Sequence, residues 1–599
     1  MNARIAFWKL LLSRCWRSAP GTSALLTALI AAESVAVAVL AMSVRALVEG
    51  TGQRSAAHVL AAAAGAAGCL LIVNAGINTR HALRGNLSEQ IGMDLEREII
   101  GAVAGLPHLD HLERPVYLDR VALTLGSGPT LVAAAWLPLE SIGSLASLVG
   151  SVFLLAQVDP VLLVLILFTP VPLLVNRHTQ KAIRASMLAT AESTRLEEDL
   201  FGLLTSPGSA KEIMICGAAP RLLSLRADQW RTATEIRQRV RRRAAVLTSA
   251  GWLVFTAAYA GCLAYTAHLA ASGACSAGDL LLAITLAGQL RRQVELTVEG
   301  VSNVVNGAEA LEPCLWLLRY SAEHAPAPAS AHLRPPDLLR KGITLDEVTF
   351  RYPESTRAAV DSVSAHLPAG ATVAVVGEYG SGKSSLVKLL CGLYPPERGR
   401  ITVDGTDLRD FAPSSWSERL SVAFQDFGRY QTTLREAVGI GDLGRSSDPD
   451  ALHRALADGD ALVVADGLPD GLDSPLGREL GGVDLSEGQW QRVALARAAM
   501  RTAPLLVILD EPTAALDAPT EQAVFRRHLA MSRRFAEACG TVTLIVSHRL
   551  STVREADLIL VMEAGAVIEA GDHTALLARG GRYAELLTIH DALHGITTS

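Results

Sequence analysis

Apolar runs of similar length recur along the first half of the chain, separated by two kinds of connection. Each run is close to the ~20 residues needed to cross the hydrocarbon core of a bilayer. The pattern predicts six membrane-spanning helices, at residues 22–44, 57–77, 131–155, 160–174, 244–270 and 278–299. Short turns join the third span to the fourth and the fifth to the sixth, whereas residues 78–130 and 177–243 are long, polar and helix-forming.

Basic residues near the span ends predict the orientation of these helices. They are Arg80, Arg84, Arg177, Arg239, Arg241, Arg242 and Arg243. Positive residues favour the cytoplasmic side, so both long polar segments and both chain termini are expected in the cytoplasm. Residues 1–20 mix basic and apolar positions without an acidic one, which is typical of an amphipathic helix lying on the membrane face. We expect a multi-pass protein of the cytoplasmic membrane, with the lipid bilayer as one partner.

The second half of the chain has a different character. Residues 321–341 are rich in proline and alanine, which favours a semi-extended linker. Residues 342–590 are typical of a soluble α/β domain, and residues 591–599 form a short tail. The first half accordingly predicts an all-α transmembrane domain over residues 21–320.

Composition supports this division and narrows the partners. Only 19% of the residues are charged and the mean hydropathy is +0.29, as expected for a membrane half joined to a soluble half. The net charge of −6 gives no bulk basicity, so no nucleic-acid partner is expected. The 8 cysteines have no CxxC pair, which argues against a metal or redox site. Cys262 and Cys275 lie near a predicted outer membrane edge, where an oxidising environment could join them.

Placing an ionisable residue inside a membrane span costs free energy, so such residues are candidates for function. Glu33 falls in the middle of the first span, and Arg291 and Arg292, with Glu295 and Glu299, fall in the inner half of the sixth. Glu33 either lines a substrate path or makes a structural hydrogen bond to a neighbouring helix. The group in the sixth span either lines the same path or lies in cytoplasmic water beyond the membrane.

A phosphate-binding pattern follows a predicted strand in the soluble half. Residues 377–384 read Gly-Glu-Tyr-Gly-Ser-Gly-Lys-Ser, and a helix-like segment follows. Strand, glycine turn and helix start place backbone N–H groups around a polyphosphate. Glycine at 377, 380 and 382 permits the tight turn and close approach, Lys383 can neutralise the β- and γ-phosphates, and the Ser384 hydroxyl suits Mg²⁺. The alternative is a glycine-rich loop without a ligand.

Two adjacent acids end another predicted buried strand. Residues 505–510 form an apolar run that ends at Asp510, and Glu511 follows directly. Asp510 can hold Mg²⁺, and Glu511 is then in reach of an attacking water as general base. A helix cap after a core strand explains one of these carboxylates but not both. The sequence therefore predicts a nucleotide polyphosphate and Mg²⁺ as cofactors, and the family resemblance described next implies that the nucleotide is ATP.

Between these motifs lies Leu485-Ser486-Glu487-Gly488-Gln489, which is similar to the LSGGQ signature of ATP-binding cassette transporters. With this motif the chain resembles an exporter-type half-transporter of that family. The resemblance implies a multidomain fold: a six-helix transmembrane domain followed by an α/β P-loop nucleotide-binding domain with a helical subdomain. Glu487 departs from the signature glycine. An acidic side chain there must point away from a γ-phosphate, so we expect weaker or slower closure.

The resemblance also implies roles for matching positions. Ser486, Gly488 and Gln489 would contact ATP held by the loop of a second subunit. Tyr352 would stack on adenine, Gln425 would contact Mg²⁺, Asp517 would cross the dimer interface and His548 would contact the γ-phosphate. The full ATP set is Tyr352, Gly377, Gly380, Ser381, Gly382, Lys383, Ser384, Ser385, Ser486, Gly488, Gln489 and Asp517. The Mg²⁺ set is Ser384, Gln425 and Asp510, and the catalytic set is Glu511, His548 and Gln425.

The resemblance to the transporter family is less specific in the membrane half than in the nucleotide-binding half. Residues 106–119 and 210–214 are similar to the two intracellular coupling helices that pass motion from the nucleotide domains to the spans. Plain amphipathic surface helices remain the alternative for both.

The resulting functional hypothesis is ATP-driven export of a hydrophobic or amphipathic cargo by a dimer of this chain. A peptide natural product, a drug-like compound and a lipid all fit the apolar spans. Two alternatives stay open: an ATP-gated regulator or scaffold without cargo, and one subunit of a heterodimeric exporter.

Overall fold

The computed structural model describes residues 2–52, 56–273, 276–325, 333–478, 481–511, 518–547 and 553–593. Within helix 277–324, the side chains of residues 287, 290–292 and 294–310 are also outside the description. The chain divides into two compact units. The first consists of Met1–Gly101 and Arg120–Leu318, and the second of Ala102–Asp119 and Arg319–Ser599.

The first unit is built from long helices. Its elements are α1 Asn2–Ser18, α2 Pro20–Gly52, α3 Ala56–Ala104, α4 Pro115–Thr124, α5 Gly128–Val158, α6 Val164–Phe168, α7 Pro170–Ala189, α8 Ala191–Thr205, α9 Pro207–Ile215, α10 Ala219–Ala271 and α11 Ala277–His324. Among the described residues, five helical stretches are long and apolar enough to span a membrane: Pro20–Gly50, Ala56–Ala104, Gly128–Val158, Pro160–Ala189 and Ala219–Ala271. The sixth predicted span lies within α11.

Several helices continue well past their predicted apolar spans. Helices α3, α10 and α11 have 49, 53 and 48 residues, roughly twice what a bilayer requires. The polar segments after the second span and before the fifth therefore continue the same helices. No proline interrupts either helix beyond its first turn. The predicted turn at Asp159 is present. The Asp159 carboxylate accepts a hydrogen bond from the Val161 N–H at 2.8 Å, which caps a 3₁₀ turn over Pro160–Leu163.

Two predicted boundaries differ in detail from the observed elements. Helix α11 ends at His324 and so includes the first four residues of the predicted linker. The Tyr320 and His324 rings stack at 4.0 Å, and the Ser321 hydroxyl donates to the Ala102 carbonyl, which accounts for this last turn. The predicted first coupling helix is not helical over residues 105–114. These residues form turns, and α4 begins only at Pro115.

The turn segment packs against the soluble domain within the second unit. The Leu109 N–H donates to the Leu393 carbonyl at 3.0 Å, and a His108 ring nitrogen lies 3.2 Å from the Gly392 carbonyl. The Tyr394 hydroxyl donates to the Glu113 carboxylate. The Leu109 N–H, which a helix would use internally, is thus bound to the neighbouring segment, and the side chains of His108 and Glu113 fix the turns in place.

Two β-sheets organise the soluble part. One is four-stranded in the order β2-β1-β4-β5, and the other six-stranded in the order β10-β9-β3-β8-β7-β6. The strands are β1 Gly342–Phe350, β2 Val360–Pro368, β3 Thr372–Val376, β4 Arg398–Val403, β5 Thr406–Asp407, β6 Leu420–Ala423, β7 Leu506–Asp510, β8 Val542–Val546, β9 Leu558–Glu563 and β10 Ala566–Gly571. In the larger sheet, β6, β7, β8, β3 and β9 run parallel. Such sheets bind ligands at the carboxyl ends of their strands.

Helices cover this sheet and form a separate helical subdomain. They are α12 Lys383–Leu390, α13 Pro413–Ser417, α14 Leu434–Gly439, α15 Pro449–Asp458, α16 Leu462–Asp466, α17 Glu487–Ala498, α18 Ala518–Cys539, α19 His573–Arg579 and α20 Arg582–Leu593. Helices α14 to α17 share a hydrophobic core of their own around Leu452, Trp490 and Val493. The predicted helical subdomain is therefore present.

A buried histidine makes the stability of the soluble domain dependent on pH. His528 on α18 is 1% exposed, and its ring nitrogens have no hydrogen-bond partner in the described part of the chain. Burial lowers the pKa of His528 from 6.5 to about 4. The unfolded state therefore binds more protons between these two values, and stability is lost as pH falls from 6.5 towards 4.

We expect this single site to cost about 3 kcal/mol by pH 4. His528→Leu should flatten the fall of the apparent melting temperature of the full chain between pH 6.5 and 4. His453→Leu, at an exposed position on α15, is the matched control and should leave the profile unchanged. Equal pH profiles for wild type and His528→Leu would contradict the assignment.

Candidate nucleotide site

The loop after β3 forms an open cradle between strand and helix. Gly377, Gly380 and Gly382 have φ values of 155°, 77° and 102°. A Cβ at Gly377 would lie 2.2 Å from the Met562 carbonyl oxygen, and one at Gly382 would lie 2.3 Å from the Ala359 carbonyl oxygen. Glycine is therefore required at both positions for steric as well as conformational reasons. Helix α12 begins at Lys383, so its N-terminus faces the loop.

Lys383 lies over the glycine-rich loop, as expected for a residue that neutralises phosphates bound there. Its Nζ donates to the Gly377 carbonyl at 2.9 Å and to the Glu378 carbonyl at 2.8 Å. Burial lowers the pKa of Lys383, and the carboxylates of Glu511 and Asp510 oppose that change. The ammonium group is thus held by two backbone carbonyls near two acids, where a triphosphate can exchange for those contacts.

Asp510 and Glu511 stand at the carboxyl end of β7. Asp510 is 4% exposed, and burial, followed by the nearby Glu511 and Asp426, raises its pKa to about 6. Glu511 has a φ of 48°, which is unusual outside glycine. Its N–H donates to the Val546 carbonyl at 3.0 Å, and its carboxylate accepts from Gln425 Nε2 at 3.0 Å. The backbone strain turns Glu511 away from the strand direction, as is common at active sites.

The residues around Asp510 fit a magnesium ion. Asp510 Oδ1 is buried and has no hydrogen-bond partner in the described residues, while Ser384 makes a side-chain hydrogen bond to this carboxyl group. Oxygen donors of this kind, together with phosphate oxygens, are the ligands that Mg²⁺ prefers. Ser384 and Asp510 therefore adjoin each other as predicted, and Gln425 reaches the same acidic cluster through Glu511.

Tyr352 lies beside the phosphate-loop helix. Its hydroxyl is 3.1 Å from the Ser385 hydroxyl, and Lys388 Nζ is 5.5 Å from the centre of its ring. The ring also makes an edge contact with Phe350, with centres 4.9 Å apart. Ser381 is buried in the loop and Ser385 in α12. The structure thus brings Tyr352, Ser381 and Ser385 together with Lys383 in one region.

The signature-like motif begins helix α17. The Ser486 side chain accepts from the Gln489 N–H at 3.3 Å, and the Gln489 side chain accepts from the Ser486 N–H at 2.8 Å. This reciprocal capping box fixes the first turn. Gly488 lies in the same turn, whose free N–H groups form a potential anion site.

Glu487, which replaces the signature glycine, pairs with Arg429, a residue that the sequence analysis did not identify. The Glu487 carboxylate accepts from the Arg429 guanidinium, four residues after Gln425. The loop that presents Arg429 is itself held by Arg497 of α17, which donates to the Gly428 carbonyl at 3.1 Å and covers the Tyr430 ring at 4.4 Å. The Glu487 side chain is therefore directed towards the segment that carries Arg429; its orientation relative to a bound phosphate stays a prediction.

Because Arg429 and Glu487 are each about half exposed, the pair offsets the acidic charge only in part. We expect Glu487→Gly to lower the KM for ATP, or raise the ATPase rate, by roughly three- to tenfold. Arg429→Ala should act in the opposite direction, since it leaves the acid unpaired. Arg435→Ala, which removes a partly exposed arginine paired with another acid, Asp473, is the control in the same steady-state assay. A Glu487→Gly enzyme with wild-type kinetics would contradict the expectation.

Some predicted residues fall outside the described part of the chain. They are Asp517, His548, Cys275 and the side chains of Arg291, Arg292, Glu295 and Glu299. Their roles, and the pairing of Cys262 with Cys275, stay predictions.

Glu33 lines a cavity of about 180 Å³ in the first unit. Gly76 of α3 leaves room for this carboxylate, because a Cβ there would lie 2.7 Å from Glu33 Oε1 and the side chain would have to shift. Arg80 Nε lies 3.4 Å from the Glu33 carboxylate and Arg80 Nη1 lies 3.2 Å from that of Glu140. Glu33 thus makes a polar link to a neighbouring helix and also lines a cavity; its place in a substrate path stays a prediction. Glu140, in the third span, was not singled out, although the rule that identified Glu33 applies to it equally.

Comparison with known proteins identifies relatives of both halves. The sequence pattern of the family described as "ABC transporter" matches residues 360–514. The chain is 37% identical over 316 residues to an ATP-dependent lipid A-core flippase of Aromatoleum aromaticum, covering 52% of this chain and 50% of that protein. A flippase of the same description from Pseudomonas fluorescens is 34% identical over 367 residues, covering 60% and 57%. The chain thus spans about half the length of the curated relatives it matches.

A solved structure extends the likeness to nearly the whole chain. It is described as a bacterial Atm1-family ABC exporter with ATP bound, with a TM-score of 0.74 and 24% identity, and the match covers 96% of this chain and 99% of that one. At this identity the likeness establishes the fold.

Proposed function

Because the chain joins an ABC transporter ATP-binding domain to a helical membrane domain with the ABC exporter fold, we propose that it is an ATP-driven exporter. Two copies of the chain form the working unit, and the cargo is a lipid-like amphiphile. The observation that carries the proposal is the convergence of Lys383, Asp510, Glu511 and Gln425 at the end of one parallel sheet. This arrangement suits the binding of a nucleoside triphosphate. A purely structural role would not require two adjacent, partly buried acids.

Each residue of the site has a distinct task in the proposed reaction. The loop N–H groups and Lys383 hold the β- and γ-phosphates, and Tyr352 stacks on adenine. Glu511, oriented by Gln425, accepts a proton from water as the water attacks the γ-phosphorus; the bond between this phosphorus and the bridging oxygen breaks, and ADP leaves with the electron pair. Ser384, Asp510 and Gln425 would hold Mg²⁺. When bound, the metal neutralises charge on the phosphate oxygens.

Closure needs the second copy. Helix α17 presents Ser486, Gly488 and the free N–H groups of its first turn at one end. In the proposed dimer these groups contact the γ-phosphate of ATP bound to the partner's loop. ATP then binds the closed dimer more tightly than the open one, and only this difference in affinity can move the membrane domains. Hydrolysis removes the shared contact and lets the two copies separate.

The cargo class follows from the relatives and from the membrane domain. The relatives are described as lipid A-core flippases, and the membrane domain carries a partly polar cavity among apolar helices. A molecule with an apolar tail and a polar head suits both. This favours a lipid over a peptide or a drug-like compound.

Reconstituted vesicles test the proposal directly. The purified chain in sealed vesicles should move a fluorescent lipid between leaflets when Mg²⁺ and ATP are supplied on the side of the nucleotide domains. Vesicles with Glu511→Gln, or with ATP omitted, should show only the passive rate. ATP hydrolysis without lipid movement would instead support the regulator hypothesis.

A further inference from the structure

A compact group of charged side chains borders the cavity that contains Glu33. Arg80 bridges Glu33 and Glu140, with nitrogen–oxygen distances of 3.4 and 3.2 Å, and Arg84 lies 3.1 Å from Glu140. We call these four residues the charge cluster. They come from α2, α3 and α5, so each ion pair to a glutamate joins two helices.

The charge cluster is electrically balanced. It contains two arginines and two glutamates. The neighbouring His81 adds no charge, because its Nδ1 lies 3.2 Å from Arg84 Nη2 and must accept from a guanidinium that can only donate. Within the charge cluster, therefore, positive and negative charges are equal in number; Glu33, Arg80 and Glu140 line the cavity, whereas Arg84 joins the cluster through its pair with Glu140.

The cluster is removed from water. The four side chains are only 13 to 22% exposed. Breaking one buried pair leaves an uncompensated charge and typically costs several kcal/mol. An incoming anion would have to displace a glutamate from Arg80, and an incoming cation would have to displace an arginine from a glutamate. A head group that carries both charges can be inserted between the partners and replace each contact that it breaks.

The cavity beside the cluster has an amphipathic wall. Its volume of about 180 Å³ corresponds to about six water molecules, enough for one small polar head group. Ser34 and Ser144 add hydroxyl groups to the wall, while Ile30, Val37 and Val73 provide an apolar side. An ion network that only joins helices needs no adjoining space of this kind, since protein interiors are otherwise close-packed.

The sequence also gives the depth of the cluster. Arg80 and Arg84 follow the end of the predicted second span at residue 77, on the side predicted to be cytoplasmic. Glu33 lies midway along the first span. The cavity therefore extends from the level of the inner-leaflet head groups towards the membrane centre, where the head of an inner-leaflet lipid must pass.

Building on the proposed function, we propose that the cavity of Glu33, Arg80 and Glu140 is the head-group site for a zwitterionic amphiphile bearing one ammonium and one phosphate group. The phosphate replaces a glutamate as the partner of Arg80 or Arg84, and the ammonium pairs with the released carboxylate. The balanced cluster disfavours head groups with a net negative charge. The preference for zwitterionic over anionic head groups therefore depends on the balance between acids and arginines, and the number of arginines alone does not determine it.

The test compares two tail-labelled fluorescent lipids, phosphatidylethanolamine and phosphatidylglycerol, in vesicles that contain the full-length protein. The measured quantity is the ratio of their ATP-dependent translocation rates. We expect wild type to move the ethanolamine lipid at least about fivefold faster, which corresponds to one ionic contact of about 1 kcal/mol. Glu33→Gln leaves the cluster with an excess positive charge and should bring the ratio to one or below.

Two further variants separate head-group selection from helix packing. Glu33→Gln with Arg80→Gln restores the charge balance and should restore the preference for the ethanolamine lipid. Glu49→Gln is the matched control, because Glu49 is on the same helix and is paired with Arg45 at 2.8 Å, away from the cavity. It should leave the ratio unchanged.

The outcomes separate this inference from the function on which it rests. A constant ratio across all variants, with only a lower melting temperature for Glu33→Gln, assigns the cluster to helix packing and overturns the inference. Faster movement of phosphatidylglycerol by wild type leaves the export function intact and also overturns it. ATP hydrolysis with no movement of either lipid contradicts the export function itself.

Discussion

Glu511→Gln is expected to lower ATP turnover by at least about 100-fold while ATP binding is retained. The amide has the shape of the carboxylate and can keep the contact with Gln425, which lies 3.0 Å away, but it cannot accept a proton from the attacking water. General-base catalysis typically contributes a factor of 10² to 10⁴. The variant should hold ATP in a closed dimer, detectable as retained nucleotide after gel filtration and as an increase in dimer mass.

Glu418→Gln is the control for this substitution, because Glu418 is an exposed glutamate of the same domain and lies near the start of β7, at the opposite end of the strand from Glu511. It should preserve wild-type turnover. If Glu511→Gln hydrolysed ATP near the wild-type rate, Glu511 would not be the base and the mechanism would need another proton acceptor.

Lys383→Ala should weaken ATP binding by roughly 10- to 100-fold, the usual value of a charged hydrogen bond to a phosphate. The side chain is oriented by the Gly377 and Glu378 carbonyls, directly over the loop. Its burial lowers its pKa, and the neighbouring acids Glu511 and Asp510 oppose the change. Equilibrium binding of a fluorescent ATP analogue measures the effect.

Lys341→Ala supplies the control for charge alone, since Lys341 lies immediately before β1 and outside the site. Lys383→Arg separates charge from geometry: the larger guanidinium cannot reproduce the ammonium contacts with the two carbonyls. Unchanged ATP affinity in Lys383→Ala would exclude the proposed role of the loop.

The nucleotide site was largely predictable because its determinants are local. The strand, the glycine turn and the start of α12 are contiguous, and glycine at 377 and 382 is imposed by nearby backbone oxygens. Asp510 and Glu511 could be placed because strand ends of a parallel sheet meet at one edge. Tyr352 was assigned by resemblance, and its contact with Ser385 agrees with that placement.

Features that depend on distant pairing could not be predicted from local patterns. Arg429 and Glu487 are separated by 58 residues, and nothing in the sequence marks Arg429 as a partner. The turns at residues 105–114 depend on carbonyl groups near Gly392 and Leu393, whereas local composition favoured a helix. The charge cluster likewise requires α2, α3 and α5 to be adjacent, although Glu140 could have been identified as a charge within an apolar run.

A mixed-dimer experiment most directly tests the claim that two copies close on ATP. One tagged copy carries Lys383→Ala and a second, differently tagged copy carries Ser486→Arg, both with Glu511→Gln to prevent turnover. Each variant alone disrupts both shared sites of its homodimer, whereas the mixed dimer rebuilds one site from Lys383 of one copy and Ser486 of the other. We predict about one retained ATP per mixed dimer and almost none in either homodimer; equal retention in all three would contradict the account.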